Sequence, residues 1–228
     1  EYVHSRGASR VLEIGPGATI LTQAALAAGL QVTAVEMDQR FVEHLKSELS
    51  PFGKQFSVLQ GDVLKFDLKS WMQQSSEPAM VIGNIPYHIS SPILEWLFID
   101  DHLPVEAVFL VQLEFAKRVC ADSGNKDYGS LTVYAQLRSK TQFLYDVPRA
   151  CFKPVPKVDS AVLALEKPNK VYSTELLKRS EKISRQVFSQ RRKMLSNGLA
   201  IFLKDRDTAN FPIDLKLRPE QLKPEQFI

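Results

Sequence analysis

The sequence predicts an α/β protein: an open sheet flanked by helices, followed by a small all-helical domain at the C-terminus. Three observations carry this expectation. Short apolar runs at residues 10–14, 31–36, 56–60, 79–82 and 105–111 alternate with segments whose apolar residues recur at helical spacing. The first four runs lead into glycine or polar residues, at Gly15 and Gly17, Glu36, Asp62 and Asn84. In an open α/β sheet, ligands bind outside the carboxyl ends of the strands, so these residues are expected to converge on one crevice. From Ser173 on no strand pattern remains, and the charge changes sign. Residues 1–166 hold 15 Lys and Arg against 19 Asp and Glu, and residues 167–228 hold 14 against 7.

The bounds agree with this. A chain of 228 residues, 44% hydrophobic, can bury a core of one domain plus a small appendage. No apolar run approaches the roughly 18 residues of a membrane span, and there is no charged-then-apolar leader, so the expected location is the cytoplasm. Cys120 and Cys151 lack CxxC spacing, which argues against a metal site or a disulfide framework; both are expected to be inert packing residues. A basic end on a slightly acidic body is the footprint expected for a polyanion such as nucleic acid.

Along the chain, Arg10 to Ile14 is a strand opening into Gly15-Pro16-Gly17-Ala18-Thr19, and Ile20, Leu21, Ala24, Ala25 and Ala28 mark the helix after it. The second strand, Gln31 to Glu36, ends in a carboxylate 23 residues after Glu13, about the spacing at which an acidic residue takes ribose hydroxyls. No phosphate-binding GxxxxGK[ST] and no complete GxGxxG occurs. The ligand reads as an adenosine without a pyrophosphate, hence S-adenosylmethionine rather than NAD. A helix over 39–49 and a strand over 56–60 lead to Gly61-Asp62-Val63, where Asp62 suits the adenine amino group and equally a helix cap. Ser91 to Phe98 reads as a helix with Trp96 in the core, and Leu113 to Val119 as another. Residues 122–129 form a polar loop with the composition of a mobile one, and 131–137 fits helix or strand. Two β-rich segments, 141–147 and 160–165, flank a Pro-rich stretch. In the tail, helical spacing over 176–188 and 194–202 brackets Gln190-Arg191-Arg192-Lys193, with a bend expected at Gly198.

The segment with the most chemistry is Gly83-Asn84-Ile85-Pro86-Tyr87. Pro86 fixes its own φ and biases Ile85 away from helix, so the carbonyls here are expected to be free of a helical ladder. The Asn84 carbonyl oxygen and a main-chain carbonyl then suit both hydrogens of an exocyclic amine, with Tyr87 stacked on the ring that carries it. Phe152, kept extended by the prolines after it, is a candidate for the opposite ring face.

Taken together, Glu13-Ile14-Gly15-Pro16-Gly17, Asn84-Ile85-Pro86-Tyr87, Phe152-Lys153-Pro154-Val155-Pro156-Lys157-Val158-Asp159-Ser160 and Gln190-Arg191-Arg192-Lys193 closely resemble the ribosomal RNA adenine N6-dimethyltransferases, over almost the whole chain. The resemblance implies a Rossmann-like, class I S-adenosylmethionine-dependent methyltransferase sheet over residues 1–168 and a helical, basic RNA-binding domain over 169–228. Cofactor binding falls to Glu13, Gly15, Gly17, Glu36, Asp62, Val63 and Asn84. Catalysis falls to Asn84, Pro86, Tyr87 and Phe152, and RNA binding to Arg191, Arg192 and Lys193, with no metal. The implied substrate is a pair of adjacent adenosines near the 3′ end of small-subunit rRNA, each dimethylated, on an immature small ribosomal subunit, by a monomer. The Gln-Arg-Arg-Lys run favours this branch over the relatives that modify large-subunit rRNA and confer macrolide resistance. A non-catalytic assembly factor on the same fold is the rival of a different class; DNA adenine methylation is disfavoured, because those enzymes resemble an Asp/Asn-Pro-Pro-Tyr tetrad. Two departures stand out. Thr19 occupies a position where the family usually has glycine. The family's segment ahead of the first strand, with a Gln-Asn-Phe-Leu-type motif that closes over the cofactor, is missing here, which implies a shortened chain whose cofactor binding is weakened or absent.

Overall fold

The structure is a computed structural model that describes residues 1–100, 105–204 and 211–228. In chain order it contains α1 (Tyr2–Ser5), β1 (Arg10–Ile14), α2 (Ile20–Ala27), β2 (Gln31–Glu36), α3 (Gln39–Glu48), β3 (Phe56–Gln60), α4 (Leu68–Gln73), β4 (Ala79–Asn84), α5 (Ser90–Leu97), β5 (Glu106–Gln112), α6 (Leu113–Val119), α7 (Ser130–Gln136), β6 (Lys140–Val147), β7 (Ser160–Glu166), α8 (Thr174–Ser189), α9 (Leu195–Gly198) and α10 (Ala200–Leu203). Among the described residues the strands form one sheet in the order β3-β2-β1-β4-β5-β7-β6. The first five strands pair in parallel, and β7 runs antiparallel to β5 with Gln112 opposite Ser160.

Every residue of β1 is buried, which is what a central parallel strand covered on both faces requires. On one face Ala25, Leu26 and Leu30 around α2, with Leu45 and Leu49 around α3, pack on Val11, Val32, Met80 and Ile82. Two of the five residues of β1, Glu13 and Arg10, are charged, and the one at the start of the strand is Arg10. Its guanidinium donates to the carbonyls of Trp71 (3.1 Å), Met72 (2.6 Å) and Ser75 (3.2 Å), so it satisfies carbonyls at the C-terminal end of α4, and its Cζ lies 4.6 Å from the Trp71 ring centre. Trp96 is a core residue as expected, with its indole N–H donating to Phe66 O at 3.0 Å.

The chain divides into two compact units, residues 1–113 with 144–166, and residues 114–143 with 167–228. The boundary read from the sequence, at 168/169, lies beside the second junction; residues 114–143, kept there with the first domain, group with the helical tail instead. The reason is packing: Ala121, Tyr128, Val133 and Leu137 share one core with Leu177, Val187, Leu195, Leu199, Leu222 and Phe227. The ambiguous segment 131–137 is helical. The loop 122–129 is pinned where mobility was expected, since Tyr128 is fully buried and its ring lies 5.8 Å from that of Phe188. The residues around 194–202 are broken at Gly198–Leu199 into α9 and α10, matching the expected bend.

Candidate active site

β1 ends beneath a turn whose backbone sits largely in the left-handed region: φ is 58° at Gly15, 51° at Gly17 and 67° at Thr19. Glycine adopts this conformation without penalty; a β-branched threonine does so only under strain of about 1–2 kcal/mol. The expected oddity at Thr19 is therefore a backbone one. Glu13, one residue before the strand end, is 1% exposed, and its Oε2 has no hydrogen-bond partner among the described residues. Burial pushes its carboxyl up to about 7; the Thr22 hydroxyl, though not placed in a well-formed hydrogen bond, opposes this.

Glu36, at the end of β2, accepts from the Gly17 N–H at 3.4 Å and from the Asp38 N–H at 2.9 Å. It therefore ties the ends of the first two strands together, and each oxygen retains a lone pair for a ligand hydroxyl. Asp62 acts as the cap that was its alternative reading, its Oδ1 accepting from the Leu64 N–H at 3.0 Å, while Val63 is buried.

β4 ends at Asn84, whose side chain is exposed and makes no hydrogen bond among the described residues. Its backbone is nevertheless held. The Ile85 N–H donates to Leu110 O at 2.9 Å, and Ile85 is 1% exposed. Gly83 sits so close to β1 that an added Cβ would lie 3.0 Å from Ile14 O. Pro86 departs from the expectation of free carbonyls: its oxygen accepts from the Ile89 N–H at 3.0 Å, because the chain turns through a short 3-10 segment at Tyr87–Ile89. One lone pair of that oxygen remains available. Tyr87 is half-buried and its hydroxyl is within 3.0 Å of Ser160 Oγ, which fixes the ring.

A cavity of about 670 Å³, within the size range of small-molecule sites, is lined by Glu13, Gly15, Gly17, Asn84 and Phe152 among others. Glu36, Asp62, Val63, Pro86 and Tyr87 lie outside its lining. Four contributors were not anticipated. Tyr145 and Cys151 line the same cavity, and Cys151 is exposed, which corrects its expected role as an inert packing residue; Cys120 is partly buried, its thiol pushed up to about 11 by burial. Ser160 stands inside the Phe-x-Pro stretch but had no role until Tyr87 met it. Thr22 had none until Glu13 did. In the second unit Arg191 is tied to backbone carbonyls of Asn125 and Lys126, whereas Arg192 and Lys193 are exposed.

The residues fit an S-adenosylmethionine: a glycine turn open to close approach, a buried carboxylate oxygen in need of a partner, and a strand-end carboxylate for hydroxyls. Among the described residues no group of three or more His, Cys, Asp or Glu is arranged to hold a metal ion, and no helix is long and apolar enough to cross a membrane.

Comparison with known proteins agrees with this geometry. The chain is 38% identical over 232 residues to the ribosomal RNA small subunit methyltransferase A of Pseudomonas aeruginosa and 38% identical over 223 residues to that of Francisella tularensis subsp. novicida, spanning 84% of each. These alignments cover 99% and 96% of this chain. Among solved structures it is similar to a dimethyladenosine transferase from Plasmodium falciparum (TM-score 0.79, 27% identity, 99% of this chain and 90% of that one). It is also similar to the 23S rRNA methyltransferase ErmE (TM-score 0.69, 29% identity, 97% and 88%). The fold is that of the class I S-adenosylmethionine-dependent methyltransferases. The family model for ribosomal RNA adenine dimethylase matches residues 5–228, and the chain belongs to that family.

Proposed function

We propose that this chain dimethylates N6 of two adjacent adenosines in small-subunit rRNA with S-adenosylmethionine, acting as a cytoplasmic monomer on immature small subunits. The observation that carries the reading is Asn84. It is a solvent-facing amide with no partner among the described residues, on a backbone locked by β5 and by the close approach of Gly83 to β1, and it lines the same cavity as the glycine turn. The small-subunit names of the curated relatives support that branch over the large-subunit one.

When bound, S-adenosylmethionine supplies an electrophilic methyl carbon on a sulfonium. Glu13 Oε2 would accept from a cationic group of that ligand, and Glu36 from its hydroxyls. At the adenine, the difficulty is that the N6 lone pair is delocalised into the ring. Asn84 Oδ1 accepts one N6 hydrogen and the remaining lone pair of the Pro86 carbonyl accepts the other. Two acceptors below the ring plane favour a pyramidal nitrogen with its lone pair aimed into the cavity. Tyr87, immobilised by Ser160, and Phe152 stack on the extruded base and offset the cost of unstacking by about 1–3 kcal/mol per ring. After one methyl group is added, one acceptor is enough, which leaves the substituted amine free to turn for a second round.

The test is Asn84→Ala. Methyl transfer should fall by about 100-fold or more, the scale of removing one preorganised polar group from a reacting centre. Affinity for unmethylated small-subunit rRNA should change less than about two-fold, since Asn84 carries no charge to the phosphates. Equal loss of binding and transfer would remove Asn84 from the role assigned to it.

A further inference from the structure

Buried side-chain polar atoms almost always have a hydrogen-bond partner, so the exceptions call for a physical reason. Among the described residues these exceptions fall on Glu13, Thr22, Tyr128 and Glu220, and the first two stand together. Glu13 is on β1 and lines the cavity. Thr22 is on α2 behind it and is 0% exposed. The other buried residues of α2 are Ala25 and Leu26, so Thr22 is the polar residue on an otherwise apolar face. A threonine inside a helix ordinarily turns its hydroxyl back onto the carbonyl three or four residues earlier. Thr22 does not, for neither Ala18 O nor Thr19 O accepts from it, and Thr19 O takes the Gln23 N–H at 2.8 Å. Its hydroxyl stands beside the Glu13 carboxyl instead, without the alignment of a formed bond.

The elements packed around Glu13 supply no charge to it. β2 and β4 place Ala34 and Ile82 next to it, and α2 has no charged residue. The titratable groups that share the cavity are Glu1, His4, Tyr145 and Cys151, and none of them forms an ion pair with Glu13 among the described residues. Glu36, at the next strand end, is engaged with the Gly17 and Asp38 N–H groups. Burial pushes the Glu13 carboxyl up to about 7, and the Thr22 hydroxyl is the group that opposes it. Each carboxylate oxygen offers two lone pairs, so a hydroxyl behind and a cation in front do not compete for the same one.

We propose that Thr22 is a positioning residue for Glu13: its hydroxyl donates to the ionised carboxylate from the side of α2 and so holds it ready for a cationic group of the cofactor. The proposal rests on the reading that Glu13 receives that cationic group. With the carboxyl protonated, the hydroxyl is left idle, as the structure shows it. Ionisation gives both groups their missing partner at once, so binding of the cofactor's cation and the turn of the Thr22 hydroxyl are coupled.

The pH profile of cofactor binding tests this. Binding of S-adenosylmethionine is measured by calorimetry between pH 6 and pH 8.5 for the native chain, Thr22→Val, Thr22→Ser and Glu13→Gln. Valine keeps the shape of threonine and removes the hydroxyl, so the carboxyl should rise by about one further unit, the effect of losing a hydrogen bond made to the charged form alone. Thr22→Val should then bind about ten-fold more weakly than the native chain at pH 6 and within about two-fold of it at pH 8.5, where the carboxyl has ionised in both. Taking the ratio at each pH cancels any titration of the ligand itself. Without ligand, a carboxyl raised in the folded state loses its stabilising effect as pH rises through its folded value. Urea unfolding of Thr22→Val should therefore continue to weaken above pH 7, where the native chain has levelled off. Thr22→Ser, which restores the hydroxyl, should follow the native chain in both measurements. A deficit in Thr22→Val of the same factor at every pH, an unchanged profile, or a failure of serine to restore it would overturn the positioning role. A native pH dependence of binding that survives Glu13→Gln would instead overturn the reading that Glu13 takes the cationic group, and the unfolding profiles would still decide whether Thr22 acts on the carboxyl.

Discussion

The turns after β1 and β4 leave neighbouring strands, with Ile14 opposite Gly83, yet each needs its glycine for a different reason. At Gly15 the backbone is left-handed, with φ at 58°, while the space where a Cβ would point is open within 4 Å. Gly83 shows the reverse, with no positive φ but no room for a Cβ beside Ile14. One glycine answers to conformation and the other to close approach. The difference follows from what each turn presents. The first leaves its backbone open to close approach, as the proposed function asks of a ligand turn, whereas the second holds Asn84 and Pro86 stiffly, as that proposal asks of two acceptors for a small amine.

The largest expected effect lies beneath the first turn. Burial raises the Glu13 carboxyl from 4.5 to about 7, so the folded protein keeps a proton that the unfolded chain releases. Rising pH between those values therefore favours unfolding, and the loss is complete above about 7. It amounts to roughly 3 kcal/mol, an order-of-magnitude figure. Urea unfolding at pH 5 and pH 8 should show the drop, and Glu13→Gln should flatten it. Occupation of the same oxygen by a cationic ligand group should lower the carboxyl pKa, so cofactor affinity should rise with pH over that interval.

Gly83→Ala comes next, at about 2 kcal/mol for forcing a methyl group between β4 and β1, with methyl transfer reduced because Asn84 moves with its strand. Gly15→Ala should cost about 1–2 kcal/mol through its backbone alone. Asparagine breaks the comparison or sharpens it. It tolerates left-handed backbone, so Gly15→Asn should cost less than Gly15→Ala, whereas Gly83→Asn should cost more than Gly83→Ala. The opposite ranking at either site would refute the reason given for it. The smallest effect is at Thr19: replacing the strained threonine by glycine should stabilise the fold by about 0.5 kcal/mol, the relief of strain being partly cancelled by the entropy glycine loses on folding.

Much of this arrangement was legible beforehand. The strands were readable because parallel strands buried on both faces are continuous apolar runs, and their polar ends were readable because they interrupt those runs. Tyr87 and Phe152 stood out as aromatics in proline-constrained segments. The capping role of Asp62, the bond from Ile89 to the Pro86 carbonyl, and the use of Arg191 as a latch were not distinguishable, because each depends on which N–H or carbonyl folds back within hydrogen-bond reach. Nor was the membership of residues 114–143 in the second unit, since a helix with an apolar stripe does not say which core that stripe will join.

By itself the sequence determined the order of strands and helices, the residues standing at the strand ends, the chemical identity of the acceptors at Asn84 and Pro86, and the basic character of the tail. These are properties of period, spacing and side-chain type, all local along the chain. Tertiary structure alone decided that Glu13 Oε2 is buried without a hydrogen-bond partner among the described residues, that Gly83 has no room, that Ser160 holds Tyr87, and that of three consecutive cations Arg191 is tied to backbone carbonyls while Arg192 and Lys193 are exposed. Each of those follows from desolvation or packing between segments far apart in sequence, and such distances do not exist until the chain has folded.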